Sequence, residues 1–323
     1  MSLSHLYRRM IDAVKKGGPS RADPSSAVRL DHRIGQGAFG TVYRCTFRDT
    51  PMAAKVVNTS NLSKERVALL DNEIEVWRSI DHRNVCKLVH VDKTPTRCIL
   101  VCELLGETLR ERHVRMLRLG VKPKLITLVQ GWMDVSEGLR HIHSLGIMHR
   151  DLKSENVLVS TASTDADLSP MDETLKLIDF GVAKRVVDSA DHTAETGSYR
   201  WMAPEVIRHE RYDKSCDIYS LAMLFYETLT FSLPFPSLSP VQAALSVATG
   251  ANRPPLPPLP IAVERLIQEC WDQCSENRPT IEDVVETLCT VKSMNMSFSA
   301  LEMSQKLVRS ASDAHLSAHV AHS

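Results

Sequence analysis

The sequence predicts an α+β fold in two parts, a small strand-rich region with one helix and then a larger helical region. Two observations carry that expectation. From Leu30 to about Cys102, short β-branched and aromatic runs are broken by turn residues, with a single helical pattern between Leu62 and Ile80. From Leu109 onward, apolar residues recur at the three- and four-residue spacing of helices.

Taken in order, the first residues place Leu3, Leu6, Tyr7, Met10, Ile11 and Val14 at helical spacing, with Arg8, Arg9, Lys15 and Lys16 on the other side. A frayed or locally docked terminal helix is the preferred reading; a membrane-surface helix, a mitochondrial address and a partner helix stay open. Gly17 to Ser26 reads as a linker. In the helix expected over 62–80, Leu62, Leu69, Leu70, Ile74, Trp77 and Ile80 fall on or near one face. Leu125, Leu128, Val129, Trp132, Val135, Leu139 and Ile142 form a second stripe, ending at Gly146. Leu221 to Phe235 reads as a buried helix, since it is shorter than a membrane span and contains Glu227 and Pro234. After about Val291 the periodicity fades, and the Ser-, His- and Met-rich tail over 292–323 is expected to be disordered.

Composition narrows the function classes. Lysine plus arginine equals aspartate plus glutamate at 39 each, so no global field points to nucleic acid or to an anionic membrane. The eight cysteines lack paired metal-ligand spacing, and Cys270 with Cys274 has no His partner pair. Most lie in apolar runs, as reduced thiols acting as small hydrophobes do. With no secretory signal or spanning segment, a cytoplasmic protein is expected.

Four motifs then occur in sequence. Gly35-Gln36-Gly37-Ala38-Phe39-Gly40-Thr41-Val42 is glycine-rich, so backbone N–H groups can approach phosphates without Cβ interference. A dinucleotide-binding version would open a helix and lead to an acidic ribose ligand; the β-branched and aromatic residues that follow favour strand–turn–strand instead. Lys55 is one cation in the apolar run Met52 to Val57. Glu73 is its candidate partner and Glu75 the alternative, which two positions along points off the helix face. The third motif is His149-Arg150-Asp151-Leu152-Lys153-Ser154-Glu155-Asn156, and the fourth is Asp179-Phe180-Gly181.

With these motifs in this order, residues 30–290 resemble a eukaryotic protein kinase. The later signatures Thr196 to Glu205, Cys270-Trp271 and Asn277-Arg278-Pro279-Thr280 are most similar to the tyrosine-kinase-like group, which includes the Raf and mixed-lineage kinases. The resemblance implies a bilobal fold, a small antiparallel sheet with helix C and a larger helical lobe. It divides the chain into an extension over 1–27, a kinase domain over 28–291 (small lobe 28–102, hinge 103–106, large lobe 107–291) and the tail.

The resemblance also implies roles. Asp151 would accept or orient the substrate hydroxyl proton, and Lys153 would stabilise the transferring γ-phosphate. Asn156 and Asp179 would hold Mg²⁺, and Lys55, held by Glu73, would bind the α- and β-phosphates of ATP. Ile34, Gly35, Gln36, Gly37, Ala38, Phe39, Gly40, Val42, Ala53 and Leu158 would enclose the nucleotide. Cys102 would stand as gatekeeper, with backbone groups of Glu103 and Leu105 holding the adenine. Glu205 would pair with Arg278, Asp217 would bond to the catalytic loop, and Pro254 to Pro260 would be an internal loop, with a polyproline ligand as the alternative. Lys153 and Ser198 favour serine and threonine hydroxyls of protein substrates. Arg150 suggests control by an upstream kinase acting on Thr193 and Thr196, with Ser189 third; a loop ordered without phosphate is the alternative.

The sequence departs from the family pattern at three places: the cysteine gatekeeper, Trp77 where a smaller apolar residue is usual, and a longer acidic segment over 160–174. That segment reads as a solvated hairpin extension, with a docking role open. The rival from another class is a pseudokinase, a binding module with the same fold. Intact Lys55, Asp151, Asn156 and Asp179 favour an active enzyme.

Overall fold

A computed structural model describes residues 28–37, 40–160, 173–185, 198–250 and 252–294. They fall into two compact units, one running to Arg112 and resuming from His141 to 185, the other holding 113–140 and the residues from Ser198. The expected terminal helix, the linker, residues 161–172 of the acidic segment expected over 160–174, and the tail from 295 lie outside the described residues; residues 292–294, expected to open a disordered tail, are helical instead.

The first unit is built on a five-stranded sheet. Strands β1 (Val28–Gly37), β2 (Gly40–Phe47), β3 (Thr50–Asn58), β4 (Leu88–Lys93) and β5 (Arg97–Glu103) lie in the order β1-β2-β3-β5-β4, every neighbour antiparallel. Period-two alternation sends Val28, Cys45, Phe47, Ala54, Ile99 and Val101 into one apolar cluster, with Leu30, Met52 and Val56 packed against it. The glycine-rich motif is a hairpin: Gly35 pairs with Val42, Gln36 with Thr41 and Gly37 with Gly40. At Gly40 the tight approach is explicit, because an added Cβ would meet the Val56 carbonyl oxygen at 2.5 Å.

Helix α1 (Lys64–Arg78) starts where Ser63 accepts a hydrogen bond from the Arg66 N–H. It buries Leu70, Glu73, Ile74, Val76 and Trp77. Leu69, expected on that face, is 57% exposed, and Val76 takes a buried place instead. Positions 69 and 76, seven residues apart, point within about 20° of each other at 100° per residue, so what differs is that only the later turn of the helix is covered on that side.

Two short two-stranded sheets complete this unit. Strand β6 (Ile147–Met148) pairs with β9 (Lys184–Arg185), and β7 (Val157–Ser160) with β8 (Thr174–Leu177). Arg112 forms an ion pair with Glu173, just before β8.

Helices dominate the later chain, as expected. Helix α2 spans Leu109–Arg118 and α3 spans Leu125–Ser144; α3 gives way at Gly146, whose φ of 73° favours glycine. In the second unit Trp132 of α3 stacks on Phe225 at 4.5 Å and donates its indole N–H to Thr228 Oγ1 at 2.7 Å. Helix α4 is Pro204–Ile207, α5 Ser215–Thr230, α6 Pro240–Gly250 and α7 Ile261–Cys270, and a further helix runs over 281–294. The helix expected over 221–235 is displaced: α5 begins at Ser215 and stops at Thr230. Phe231 turns left-handed at φ 54°, and Ser232 N–H donates to Thr230 Oγ1, taking the chain out of helix before Pro234.

Arg278 and Glu205 form a bidentate pair at 2.6 and 2.7 Å. The prolines over 254–260 connect α6 to α7; Pro254 is buried and Arg253 donates to the Trp271 carbonyl and to Gln273. Among the described residues, no helix is long and apolar enough to cross a membrane.

Candidate active site

The chemistry-bearing residues of the first unit converge from five elements. Strand β3 places Lys55 opposite Val42 of β2 and Leu100 of β5. Its Nζ donates to Glu73 Oε1 at 2.6 Å and lies 4.0 Å from Asp179 Oδ1. Glu75, the alternative partner, is exposed. Burial alone would lower the Lys55 pKa, but the carboxylates of Glu73 and Asp179 outweigh it and hold the pKa above the ordinary lysine value. A raised lysine pKa keeps the pair's stabilisation at neutral pH and loses it only as pH climbs through that value.

A second cluster forms on the loop after β6. Asp151 Oδ2 accepts from Lys153 Nζ at 2.6 Å and from Asn156 Nδ2 at 2.8 Å. Asn156 Nδ2 also donates to the Asp151 carbonyl at 2.8 Å, which commits its nitrogen to the loop and leaves the amide oxygen as the end that can meet a cation. Arg150, just before, has φ 68°, a conformation that a large side chain adopts only where its surroundings fix it.

Backbone bonds join the two clusters. Ile178 N–H donates to the Asn156 carbonyl at 3.0 Å, and His149 Nε2 lies 3.2 Å from the Ile178 carbonyl. The next residue, Asp179, is itself left-handed at φ 67°, and its Oδ1 accepts from Gly181 N–H at 3.2 Å. The carboxylate is thus aimed by its own tight turn, and it is 39% exposed.

The end of β5 supplies the third side. Cys102 pairs in register with Ala53, and Cys86 has its pKa pushed well above the ordinary thiol value by a hydrogen bond with Cys102 and by burial. Glu103 Oε1 accepts from Lys87 N–H and Oε2 from Lys176 Nζ, each at 2.6 Å. Its own N–H donates to the Lys87 carbonyl, so that donor is already committed. Gly106 and Glu107 bond to Val159 of β7, and Leu158, between buried Val157 and Val159, faces the opposite way. Leu105 and Ile34 are half-buried.

Not every expected residue can be located. Ala38, Phe39, Ser189, Thr193 and Thr196 lie outside the described residues. Ser198 and Asp217 are buried in the second unit. Sequence reasoning missed Lys87 and Lys176, which fix Glu103, and Asn84 and Cys86, which carry backbone bonds to β8. Only a register between distant segments reveals them.

The residues present suit a nucleotide–magnesium complex. Among the described residues no group of three or more His, Cys, Asp or Glu side chains could cage a metal. One carboxylate and one amide oxygen match magnesium's habit of completing its shell with phosphates and water.

The family model described as Protein kinase domain matches residues 28–288. "Serine/threonine-protein kinase STY17" of Arabidopsis thaliana is 30% identical over 266 residues, covering 81% of this chain and 44% of that protein. "Serine/threonine/tyrosine-protein kinase HT1" of the same plant is 29% identical over 272 residues, covering 81% and 66%. "Mitogen-activated protein kinase kinase kinase 10" of Xenopus laevis is 31% identical over 278 residues, covering 83% and 27%. The chain spans less than half the length of the plant relative STY17.

Proposed function

Since the chain belongs to the protein kinase family and has its bilobal α+β fold, we propose that residues 28–291 form an active kinase domain that transfers the γ-phosphate of ATP to serine and threonine hydroxyls of protein substrates. The observation that carries this is the linked set Glu73–Lys55–Asp179 and Asp151–Lys153–Asn156 within one compact unit.

Each residue then has a task. Lys55, kept cationic by Glu73, binds the nucleotide's phosphates, while the backbone of the 35–42 hairpin covers them. The carbonyl of Glu103 and the backbone of Leu105 hold the adenine. Asp151 receives the substrate hydroxyl and orients its proton; Lys153, bonded to the same carboxylate, neutralises charge on the phosphoryl group in flight. Asn156 and Asp179 would hold magnesium, which when bound supplies charge neutralisation at the phosphates. Positioning and electrostatics supply most of the catalysis, since the transition state demands little covalent chemistry of the protein.

The hydroxyl preference rests on Lys153 and Ser198 and on relatives named as serine/threonine kinases. An upstream kinase acting on Thr193 and Thr196 is part of the same proposal: a phosphate there would offer its oxygens to an arginine such as Arg150. A cytoplasmic site of action is supported by the eight cysteines, all free thiols.

The test is transfer from labelled ATP with magnesium, followed by phosphoamino-acid analysis. Wild type is expected to label serine and threonine, and Asp151→Asn to lose roughly 100-fold or more. Equal labelling by both proteins would contradict the assignment. Thr193→Ala with Thr196→Ala should lower turnover, and unchanged turnover would remove the switch.

A further inference from the structure

Trp77 lies one helical turn after Glu73 on α1 and is 5% exposed. Its indole N–H donates to the Cys86 carbonyl at 2.6 Å. The N–H of Cys86 in turn donates to the Leu177 carbonyl at 2.8 Å, and Leu177 N–H donates to the Asn84 carbonyl at 2.9 Å. Asn84 adds a bond from Nδ2 to the Leu175 carbonyl at 3.0 Å. Segment 84–86 therefore holds β8 by three hydrogen bonds, and β8 leads in two residues to Asp179. On its other side the same segment holds α1 through the indole.

The two carboxylates that face Lys55 are thus hung on one short stretch of backbone, Glu73 through Trp77 and Asp179 through Leu177. The indole ring also lies 6.0 Å from the Phe180 ring, beside Asp179 in the chain. Phenylalanine, leucine or methionine at position 77 would keep the site apolar but could not donate to Cys86.

Resting on the kinase reading above, we propose that Trp77 is a positioning residue for nucleotide binding: its indole N–H fixes Glu73 relative to Asp179, so that Lys55 is held for phosphate by both. Trp77 touches no reacting atom and acts through Glu73. Helix α1 would keep its fold without the bond but lose its fixed placement against β8, and the spacing of Glu73 from Asp179 around Lys55, 2.6 and 4.0 Å from its Nζ, would no longer be held.

The test is a double-mutant cycle read in the affinity of a fluorescent ATP analogue with magnesium, which needs no protein substrate. Trp77→Phe retains an aromatic ring and removes the donor. It should weaken binding about fivefold to tenfold where Glu73 is present, the scale of one buried hydrogen bond. Against Glu73→Gln the same change should cost less than about twofold, because the residue through which Trp77 acts has lost its charge. Trp77→Leu serves as the second variant, with the same pattern expected if Phe perturbs folding. Equal weakening in both backgrounds would mean that Trp77 only packs, and wild-type affinity in Trp77→Phe would mean that the bond does nothing; either overturns the proposal. A wild-type protein that binds no nucleotide would overturn the kinase reading itself, a different signature.

Discussion

Two buried ion pairs, one in each unit, are built differently. Lys55–Glu73 is held at one oxygen, its lysine 16% exposed, with a second carboxylate 4.0 Å away. Arg278–Glu205 is bidentate; its arginine side chain is 0% exposed, also donates to the Ser215 and Asp272 carbonyls, and sits 5.3 Å from the Tyr219 ring. Every polar end of the second pair is spent on structure, and burial pushes the neighbouring Tyr219 hydroxyl well above the ordinary tyrosine pKa. The first pair leaves an ammonium beside two carboxylates of unequal distance, an arrangement that a polyphosphate can enter. Burial alone does not distinguish a structural charge from a reactive one. Between these two pairs, what differs is the number of committed hydrogen bonds.

That contrast can be broken from either end. Arg278→Ala strands Glu205 and should cost about 3–5 kcal/mol, lowering the melting midpoint by roughly 10 °C; a midpoint within a degree of wild type would show that the pair is not structural. Glu103→Gln lies between the extremes, because its carboxylate ties Lys87 and Lys176 to the end of β5. The expected result is a rise in KM for ATP of about threefold with kcat nearly unchanged, since the variant loosens the adenine edge and leaves the phosphates alone. A fall in kcat of the same size would place its effect on the reacting end. The smallest effect belongs to Asp81→Asn, which removes the exposed pair Lys87–Asp81, 55% and 78% exposed. Its midpoint should stay within about 1 °C of wild type, and a larger shift would mean that exposure is a poor guide here.

What the sequence makes legible follows the range of each interaction. The stripe from Leu125 to Ile142 and the stop at Gly146 are local, so periodicity and one glycine suffice to draw α3. Lys55 and Glu73 are 18 residues apart, yet a strand cation and a helix acid at that separation are recognisable because a family motif encodes the tertiary contact. Glu103 and Lys176 are 73 apart with no motif between them, and nothing in either residue's neighbourhood signals the pair. The same holds for Trp77: its unusual size is visible in the sequence, but its acceptor is a backbone carbonyl, which has no letter. Leu69 and the end of α5 fall elsewhere than the sequence suggests for a related reason, since an apolar run shows hydrophobicity without saying which side of it is covered.

On the proposed function, the charges around Lys55 serve transfer of phosphate, while those around Arg278 serve the fold. The most direct measurement of that division records labelled-phosphate transfer and melting midpoint together on wild type and Lys55→Met. Transfer should fall roughly 100-fold or more at temperatures where both proteins are folded, and the midpoint should fall as well, since Glu73 at 5% exposure loses its partner. Undiminished transfer by Lys55→Met would contradict it.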